Sequence, residues 1–435
     1  MVPHEHPEPP RLLLPNRSFL SYLGTQGLGA FNDNVFKQVV LLLSVGVAAG
    51  GVEMLAIVQF AFALPFVLFS GFAGDVADRW SKGRLMTICK GLEVVVMLAG
   101  LVAFASLARG ASSAGASGLW PLVVVTFFMG TQSAFFGPPK YGGIPELVRG
   151  HDLSMAAGYT QMTSFLAIIL GVAVAGVLKE KCGAVLWIPG AVCVAIAVVG
   201  TLISLGIARV PASAPDLRLG MRSFLSVFPT ISRIFRTDAL LRDVLLVYSW
   251  FWLVGGVCLT AINAYGKQRL GLGDGATSAL VATLSIGIAV GSVVSGRCSR
   301  GRVRLDLSMP GLLAMVVCLV ALPWIPVAGP GLAAADVSTS SRVLAFALLT
   351  LLGAAAGFFS VPLFAFVQER PPADQKGQVF AAANFLNWIF ILGSAAVFGL
   401  GMKVFHGRAE WVMAAVGLLT LGLGTPLLRG AIRRQ

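Results

Sequence analysis

Twelve long apolar runs follow one another along the chain, separated by short polar stretches. Each run has about 20 residues or more, the length that an α-helix needs to cross the hydrocarbon core of a bilayer. The runs are continuous, whereas strands of a membrane β-barrel alternate apolar and polar residues in segments of about ten. We therefore predict an all-α integral membrane protein with spans at 18–48, 54–73, 86–107, 119–139, 155–178, 184–208, 241–265, 276–297, 307–328, 342–367, 378–402 and 409–430.

One motif occurs twice, about half the chain length apart. Phe-Phe-x-x-Pro, with a Glu seven residues after the Pro, begins at Phe135 and again at Phe358. Both copies lie where a span, the fourth and the tenth, leaves the membrane on the same predicted side. A parallel repeat of six helices about an axis along the membrane normal is typical of the major facilitator fold. The repeat therefore predicts two pseudo-symmetric six-helix halves, and the distribution of basic residues described below predicts that both termini are cytoplasmic.

The predicted halves divide the chain into five parts: a cytoplasmic N-terminal tail (1–17), an N-terminal six-helix half (18–208), a cytoplasmic linker (209–240), a C-terminal six-helix half (241–430) and a cytoplasmic tail (431–435). Within the linker, "MRSFLSVFPTISRIFR" has the pattern of an amphipathic helix that lies along an anionic leaflet. A plain cytoplasmic linker explains the same composition, and the two alternatives remain open at this stage.

Composition and charge agree with this topology. The 435 residues are 57% hydrophobic and 12% charged, with mean hydropathy +0.85 and net charge +13; a soluble protein has about 25% charged residues. With both termini cytoplasmic, 22 of the 32 Arg and Lys residues lie on cytoplasmic segments and eight on the opposite side. This asymmetry follows the positive-inside rule. The basic excess therefore indicates membrane orientation, and we predict no nucleic-acid partner, metal or cofactor.

The first span carries charges where lipid-facing helices have none, in "GLGAFNDNVFKQVVLLL". A charge at the bilayer centre costs at least about 2.5–3.5 kcal/mol, so such residues face the bundle interior or a water-filled cavity. At 100° per residue, one sector of about 80° contains six small or polar residues: Tyr22, Gln26, Gly29, Asp33, Lys37 and Ser44. This polar face is predicted to point into the bundle.

Asp33 and Lys37 are separated by one helical turn, which leaves two interpretations. They can neutralise each other as a structural pair. Alternatively, they can receive a dipolar head group, Asp33 taking an ammonium and Lys37 a phosphate. The additional hydrogen-bonding groups of Asn32 and Asn34 favour the second interpretation.

Further polar residues are predicted to line the same cavity. The set comprises Gln26, Glu93 and Gln132 in the N-terminal half, and Trp250, Asn384 and Asn387 in the C-terminal half. Lys90, three residues before Glu93, either lines the cavity or snorkels to the cytoplasmic end. Because the polar and charged groups belong mainly to one half, the cavity suits an amphiphile with a charged head and a hydrocarbon tail.

The stretch "GDVADRWSKGR" after the second span resembles the signature between helices two and three of the major facilitator superfamily. The resemblance implies a loop with a charge lock between the halves that opens and closes during transport. In this chain, the residues that match the signature and would form the charge lock are Asp75, Asp78, Arg79, Lys82 and Arg84. The alternative is that these charges only set the topology.

Four segments resemble the lysophospholipid transporter (LplT-type) family: "AFNDNVFKQ", "GDVADRWSKGRLM", "FFGPPKYGGIPELV" and "VPLFAFVQERPPADQKGQVFAAANFLNW". They are most similar to the transporter module that some bacteria fuse to a phospholipid acyltransferase and an acyl-carrier-protein ligase. The resemblance implies that lysophospholipid moves from the outer to the cytoplasmic leaflet of the bacterial inner membrane for reacylation. It also implies a head-group role for Asp33 and for Lys140, for which a cytoplasmic anchor beside Tyr141 is the alternative.

The sequence therefore predicts a multi-pass transporter without enzymatic activity. No His in the chain is followed five residues later by Asp, so the His-x-x-x-x-Asp acyltransferase motif is absent and any acyltransferase is expected to be a separate partner on the cytoplasmic side. No G-x-x-x-x-G-K-[ST] loop supports an ATP-driven pump. The alternative function is an ion-coupled major facilitator exporter of another amphiphile or drug, with Asp33 or Glu93 as proton carrier.

Overall fold

The computed structural model describes residues 16–45, 51–110, 118–182, 185–326 and 338–435. The predicted N-terminal tail lies almost entirely outside the described residues. The α-helices are α1 Arg17–Val45, α2 Gly51–Arg79, α3 Lys82–Gly110, α4 Trp120–Leu147, α5 Leu153–Cys182, α6 Trp187–Ser204, α7 Val227–Thr237, α8 Ala239–Gln268, α9 Asp274–Cys298, α10 Ser308–Ala321, α11 Thr339–Glu369, α12 Lys376–Val404, α13 Ala409–Leu419 and α14 Thr425–Arg434. A π-helical turn, Thr420–Gly424, joins the last two, and a 3₁₀ turn, Met221–Leu225, precedes α7.

Each predicted span coincides with a helix, the last one with α13 and α14 together. Within the described residues, eleven helical segments are long and apolar enough to cross a membrane. The first helix, α1, is not among them because its polar residues lower its hydropathy. The all-α fold is as predicted, while a membrane crossing by α1 stays a prediction.

Two helices continue further than the sequence indicated. The segment of the predicted latch is not a long loop: α2 runs through Asp75 and Asp78 to Arg79, and only two residues separate it from α3. Similarly, α4 continues to Leu147 past three prolines. Prolines persist inside membrane helices because neighbouring helices and local adjustments satisfy the backbone groups that they free. The motif residues therefore lie on rigid helix ends.

Both ends of the described chain lie at one face of the bundle. The Asn16 side chain donates to the Leu147 carbonyl oxygen (2.9 Å), which ties the start of α1 to the end of α4. The Gln435 side chain donates to the Val303 carbonyl oxygen (2.6 Å) beside the end of α9. Ser154, at the start of α5, donates to the Arg302 carbonyl oxygen (3.2 Å) and connects these two groups. We call this face the cytoplasmic face, after the prediction from the positive-inside rule.

The N-terminal helices α1–α6 and the C-terminal helices α8–α14 meet mainly along two helix pairs, α2 with α12 and α5 with α9. Glycines allow the close approach. A Cβ atom on Gly158 of α5 would lie 2.6 Å from the Ser292 carbonyl oxygen of α9. A Cβ atom on Gly74 of α2 would lie 2.6 Å from the Ala381 Cβ atom of α12. Both crossings lie towards the cytoplasmic face, so the halves are held together there.

Candidate functional site

Asp33 lies on α1 about 24 Å along the helix axis from its first residue, at 1.5 Å per residue. Ser133 of α4 donates a hydrogen bond to Asp33 Oδ2 (2.7 Å). The other carboxylate oxygen, Oδ1, is buried and has no hydrogen-bond partner among the described residues. A buried acceptor without a partner is costly. Asp33 is therefore oriented by one oxygen and has the other available for a ligand.

Lys37, one turn further along α1, does not pair with Asp33; the described residues include no ion pair between them. Its Nζ atom lies 4.7 Å from the centre of the Phe62 ring on α2, a cation–π contact. The Phe62 ring is 5.9 Å from the ring of Trp388 on α12, which stacks on Phe66 at 4.5 Å. Lys37 thus lies beside an aromatic cluster that joins the two halves.

Glu93, which the sequence predicted to line the cavity, is enclosed within the N-terminal half. It forms an ion pair with Lys90, and Asn32 of α1 donates to its Oε1 atom (2.8 Å). Lys90 is 0% exposed, so it does not snorkel. A Cβ atom on Gly200 of α6 would lie 3.0 Å from Lys90 Nζ, so the glycine makes room for the ammonium. Asn32 and Glu93 therefore join α1 to α3, and their contact with a substrate stays a prediction.

Three other predicted site residues of the N-terminal half bond to protein groups. Gln26 accepts a hydrogen bond from Ser164 of α5 (2.9 Å). Asn34 donates to a carbonyl oxygen of its own helix (2.7 Å), and Gln132 donates to a carbonyl oxygen of α3 (3.2 Å). Gln26 and Gln132 thus connect neighbouring helices, whereas Asn34 bonds within α1. Of the charged residues on the predicted α1 face, Asp33 keeps one carboxylate oxygen without a partner among the described residues, and Lys37 forms no ion pair there.

The C-terminal residues of the predicted site lie in different places. Trp250 donates to the Thr420 hydroxyl (2.9 Å) in the π-helical turn, and Asn387 accepts from Ser249 (2.9 Å). Both contacts are internal to the C-terminal half. Asn384, in contrast, faces the other half, since a Cβ atom on Gly137 of α4 would lie 2.6 Å from its Nδ2 atom.

Lys140 lies inside α4 and is only 8% exposed, which does not match a solvent-exposed cytoplasmic anchor. Its Nζ atom is 4.8 Å from the centre of the Tyr141 ring. That ring packs edge-on against Phe364 of α11 (5.1 Å) and is 6.0 Å from Phe380 of α12. Lys140 is therefore next to an aromatic contact that closes the halves on the cytoplasmic side of Asp33.

Of the predicted latch residues, Asp78 joins the two halves directly. Its carboxylate accepts hydrogen bonds from the backbone N–H groups of Gly377 (2.6 Å) and Gln378 (3.0 Å), in the first turn of α12. A carboxylate at a helix N-terminus is stabilised by the helix dipole. Asp75 instead accepts from Ser226 of the linker (3.2 Å). The contact between the halves at this point is thus a carboxylate that caps the start of α12.

The basic latch residues do not bridge the halves. Lys82 forms an ion pair with Glu146 of its own half and donates to Ser213 of the linker (2.7 Å). Arg84 is exposed and Arg79 half-buried, and neither forms an ion pair within the described part of the chain. In the described ranges, no group of three His, Cys, Asp or Glu side chains is placed to hold a metal ion.

Sequence reasoning missed three contributors to the site: Ser133, Phe62 and Trp388. Ser133 follows Gln132 in an otherwise apolar run, so its polarity was the available signal. The aromatic residues had no such signal, because the chain has 28 Phe and eight Trp and nothing in their spacing distinguishes Phe62 or Trp388.

Comparison with known proteins agrees with this fold. The Major Facilitator Superfamily profile matches residues 18–395. The chain is 27% identical over 393 residues to the lysophospholipid transporter LplT of Serratia proteamaculans (strain 568), covering 89% of each chain. It is 28% identical over 357 residues to LplT of Yersinia pestis (strain Pestoides F), covering 82% of this chain and 79% of the relative. A bacterial homologue of the iron transporter ferroportin, solved in an outward-facing state, superimposes with TM-score 0.72 at 16% identity, covering 94% of this chain and 98% of that one.

Proposed function

The chain belongs to the major facilitator superfamily, and we propose on this basis that it moves lysophospholipids between the leaflets of the membrane. It is a multi-pass protein of the bacterial inner membrane and a transporter rather than an enzyme. The curated relatives described above are named for lysophospholipid transport. The proposed direction is from the outer to the cytoplasmic leaflet, where a separate acyltransferase restores the missing acyl chain.

The observation that carries the proposal is the arrangement of Asp33 and Lys37. They stand one turn apart without pairing, and one carboxylate oxygen of Asp33 lacks a partner among the described residues. A zwitterionic head group supplies the two missing partners: its ammonium binds Asp33 and its phosphate binds Lys37. The Phe62 and Trp388 rings beside Lys37 offer an apolar surface to the first part of the acyl chain.

The contacts between the halves support alternating access. The Asp78 cap on α12, the Tyr141 ring contacts and the Gly158 crossing all lie on the cytoplasmic side of Asp33. We therefore interpret the arrangement as closed towards the cytoplasm, with the head-group site reached from the outer leaflet. Opening requires that the Asp78 cap and the Tyr141 contacts separate. Lys140 and Asn384, next to these contacts, are proposed to meet the head group after that separation.

The remaining predicted site residues are proposed to act indirectly. Asn32 and Glu93 fix the rotation of α1, because a bonded Asn32 directs the neighbouring Asp33 towards Ser133. Gln26 and Gln132 connect helices of the N-terminal half, and Asn34 bonds to the backbone of its own helix. Trp250 and Asn387 stabilise the C-terminal half against which the acyl chain rests.

The test is transbilayer movement of labelled lysophosphatidylethanolamine in proteoliposomes, read by a head-group-specific quencher on one side. The wild type is expected to redistribute the lipid rapidly and without an ion gradient. Asp33→Asn keeps the size of the side chain but loses the charge that binds the ammonium, and we expect it to lose at least about tenfold in rate, since a hydrogen-bonded charge contributes roughly 1.5–3 kcal/mol.

The matched control is Asp216→Asn, the same substitution at an exposed linker position, which is expected to transport at the wild-type rate. Full transport by Asp33→Asn would rule out the head-group role. Collapse of transport on adding an uncoupler, or absence of lysophospholipid movement, would favour the ion-coupled exporter instead.

A further inference from the structure

The connection between the halves is folded against the bundle and leaves an apolar surface uncovered. We define the linker surface as Met221–Leu225 together with α7, Val227–Thr237. Val227, Thr230 and Ile234 are buried against the bundle. The apolar side chains on the opposite side are strongly exposed, Met221 by 83%, Leu225 by 63% and Phe228 by 54%.

The same segment is strongly basic. Residues 217–237 contain four arginines and no acidic residue. Arg222, Arg233 and Arg236 are exposed. At 100° per residue, Phe228 and Arg233 are about 140° apart around α7, so an apolar edge and a basic edge run side by side. Helices of this kind lie in the plane of a membrane interface, with the apolar edge in acyl chains and arginines at anionic head groups.

A cavity of about 170 Å³ opens at the basic edge. Arg233 of α7, Arg370 at the end of α11 and Gln375 before α12 line it, together with Asp238. Asp238 accepts a hydrogen bond from Arg370 (3.1 Å), so it neutralises one arginine and leaves a net positive charge in the cavity. A phosphate group fits this volume and this charge.

The linker surface contacts both halves. Phe224 stacks on Phe72 of α2 at 4.7 Å, and Ser226 donates to Asp75 of the same helix. Phe228 packs edge-on against Phe385 of α12 at 5.4 Å. The segment therefore crosses the α2–α12 pair at the level where Asp78 caps α12.

We propose that the linker surface binds a phospholipid with an anionic head group from the cytoplasmic leaflet. Its phosphate occupies the cavity between Arg233 and Arg370, and its acyl chains lie against Leu225 and Phe228. This lipid is not the transported substrate: it binds at the cytoplasmic face, outside the Asp33 site. By holding the linker against α2 and α12, it stabilises the cytoplasmically closed arrangement.

The test is lipid retention by the purified full-length protein, measured by native mass spectrometry from equal mixtures of phosphatidylglycerol and phosphatidylcholine. The wild type is expected to retain phosphatidylglycerol preferentially. The double variant Arg233→Gln, Arg236→Gln is expected to have a weaker preference for phosphatidylglycerol. Each lost arginine should lower the preference about fivefold, because a basic residue at an anionic surface contributes about 1 kcal/mol. Leu225→Ser is expected to reduce retention of both lipids without changing the preference.

The matched control is Arg300→Gln, an exposed arginine in the α9–α10 connection of the same face, which is expected to keep the wild-type preference. A double variant that retains the preference, or a control that loses it equally, would overturn the proposal. Glycerol 3-phosphate in excess is expected not to displace the lipid; displacement would assign the cavity to a free phosphate compound. Unchanged melting temperatures in neutral lipid verify that the variants fold.

Discussion

At the scale of single residues, Asp33 and Glu93 show how packing gives two similar carboxylates different surroundings. Both are acidic residues within the N-terminal half, and the sequence predicted both to bind the substrate. Glu93 receives a lysine and an asparagine as partners, whereas Asp33 receives only Ser133 among the described residues. The periodicity of α1 identified the polar side of the helix. It did not identify the partners, because these come from α3 and α4, whose rotation relative to α1 depends on tertiary packing.

The buried Glu93–Lys90 pair leads to a prediction about stability. Glu93→Gln removes the negative charge and leaves the fully buried Lys90 ammonium uncompensated. Breaking such a pair by losing one partner costs about 3–5 kcal/mol. We expect a clear fall in melting temperature, measured by thermal unfolding of the purified protein in detergent.

The control for this prediction is the double variant Lys90→Met with Glu93→Gln, which removes both charges. It is expected to regain most of the lost stability, since replacing a buried pair by apolar groups is often neutral. Asp33→Asn, in contrast, is expected to melt close to the wild type. A Glu93→Gln protein as stable as the wild type would show that Lys90 finds another counter-charge.

At the scale of helices, the apolar runs predicted the position of each span but not the helix ends. The resemblance of "GDVADRWSKGR" to the superfamily signature predicted a loop at this position. In the structure, α2 includes Asp75 and Asp78 because α12 and the linker pack on this end and supply their hydrogen-bond partners. The hydrogen-bond donors are the backbone N–H groups of Gly377 and Gln378. Since every residue except proline has a backbone N–H group, the side-chain pattern of the sequence does not indicate this contact.

The α2–α12 crossing leads to a prediction about the conformational equilibrium. Gly74→Ala places a Cβ atom 2.6 Å from that of Ala381, so the helices must separate. We expect the cytoplasmic side to open more often. The measurement is maleimide labelling of Ser360→Cys, a fully buried position at the contact with Gln161 of the other half, in a protein with Cys182 and Cys298 replaced by Ser. Labelling is expected to accelerate several-fold.

The matched control is Gly393→Ala, on α12 itself, where an added Cβ atom meets nothing within 4 Å. Its labelling rate is expected to equal that of the parent. Equal rates for Gly74→Ala and Gly393→Ala would mean that the α2–α12 crossing does not limit access from the cytoplasmic side.

At the scale of the whole molecule, the twelve apolar runs and the repeat at Phe135 and Phe358 together predicted the major facilitator fold, since two copies of one motif in corresponding helices imply two related halves. The resemblance to the lysophospholipid transporter family is supported by the curated relatives. What the sequence did not contain is the conformational state. Whether the halves meet at the cytoplasmic or the opposite face depends on small differences in free energy between two packings of the same helices.

The orientation of the molecule leads to the last prediction, and the proposed direction of transport depends on it. Cys298 is exposed at the end of α9 on the face where α1 begins, and Cys182 is half-buried at the far end of α5. Because Arg and Lys are concentrated on the face of Cys298, we expect a membrane-impermeant maleimide to label Cys182 in cells whose inner membrane is intact, and Cys298 only after that membrane is permeabilised. Cys182→Ser and Cys298→Ser assign each signal. If instead Cys298 is labelled in intact cells and Cys182 only after permeabilisation, the face at which the halves are in contact would be the outer one. The Asp33 site would then open to the cytoplasmic leaflet, and lysophospholipid would enter from that leaflet.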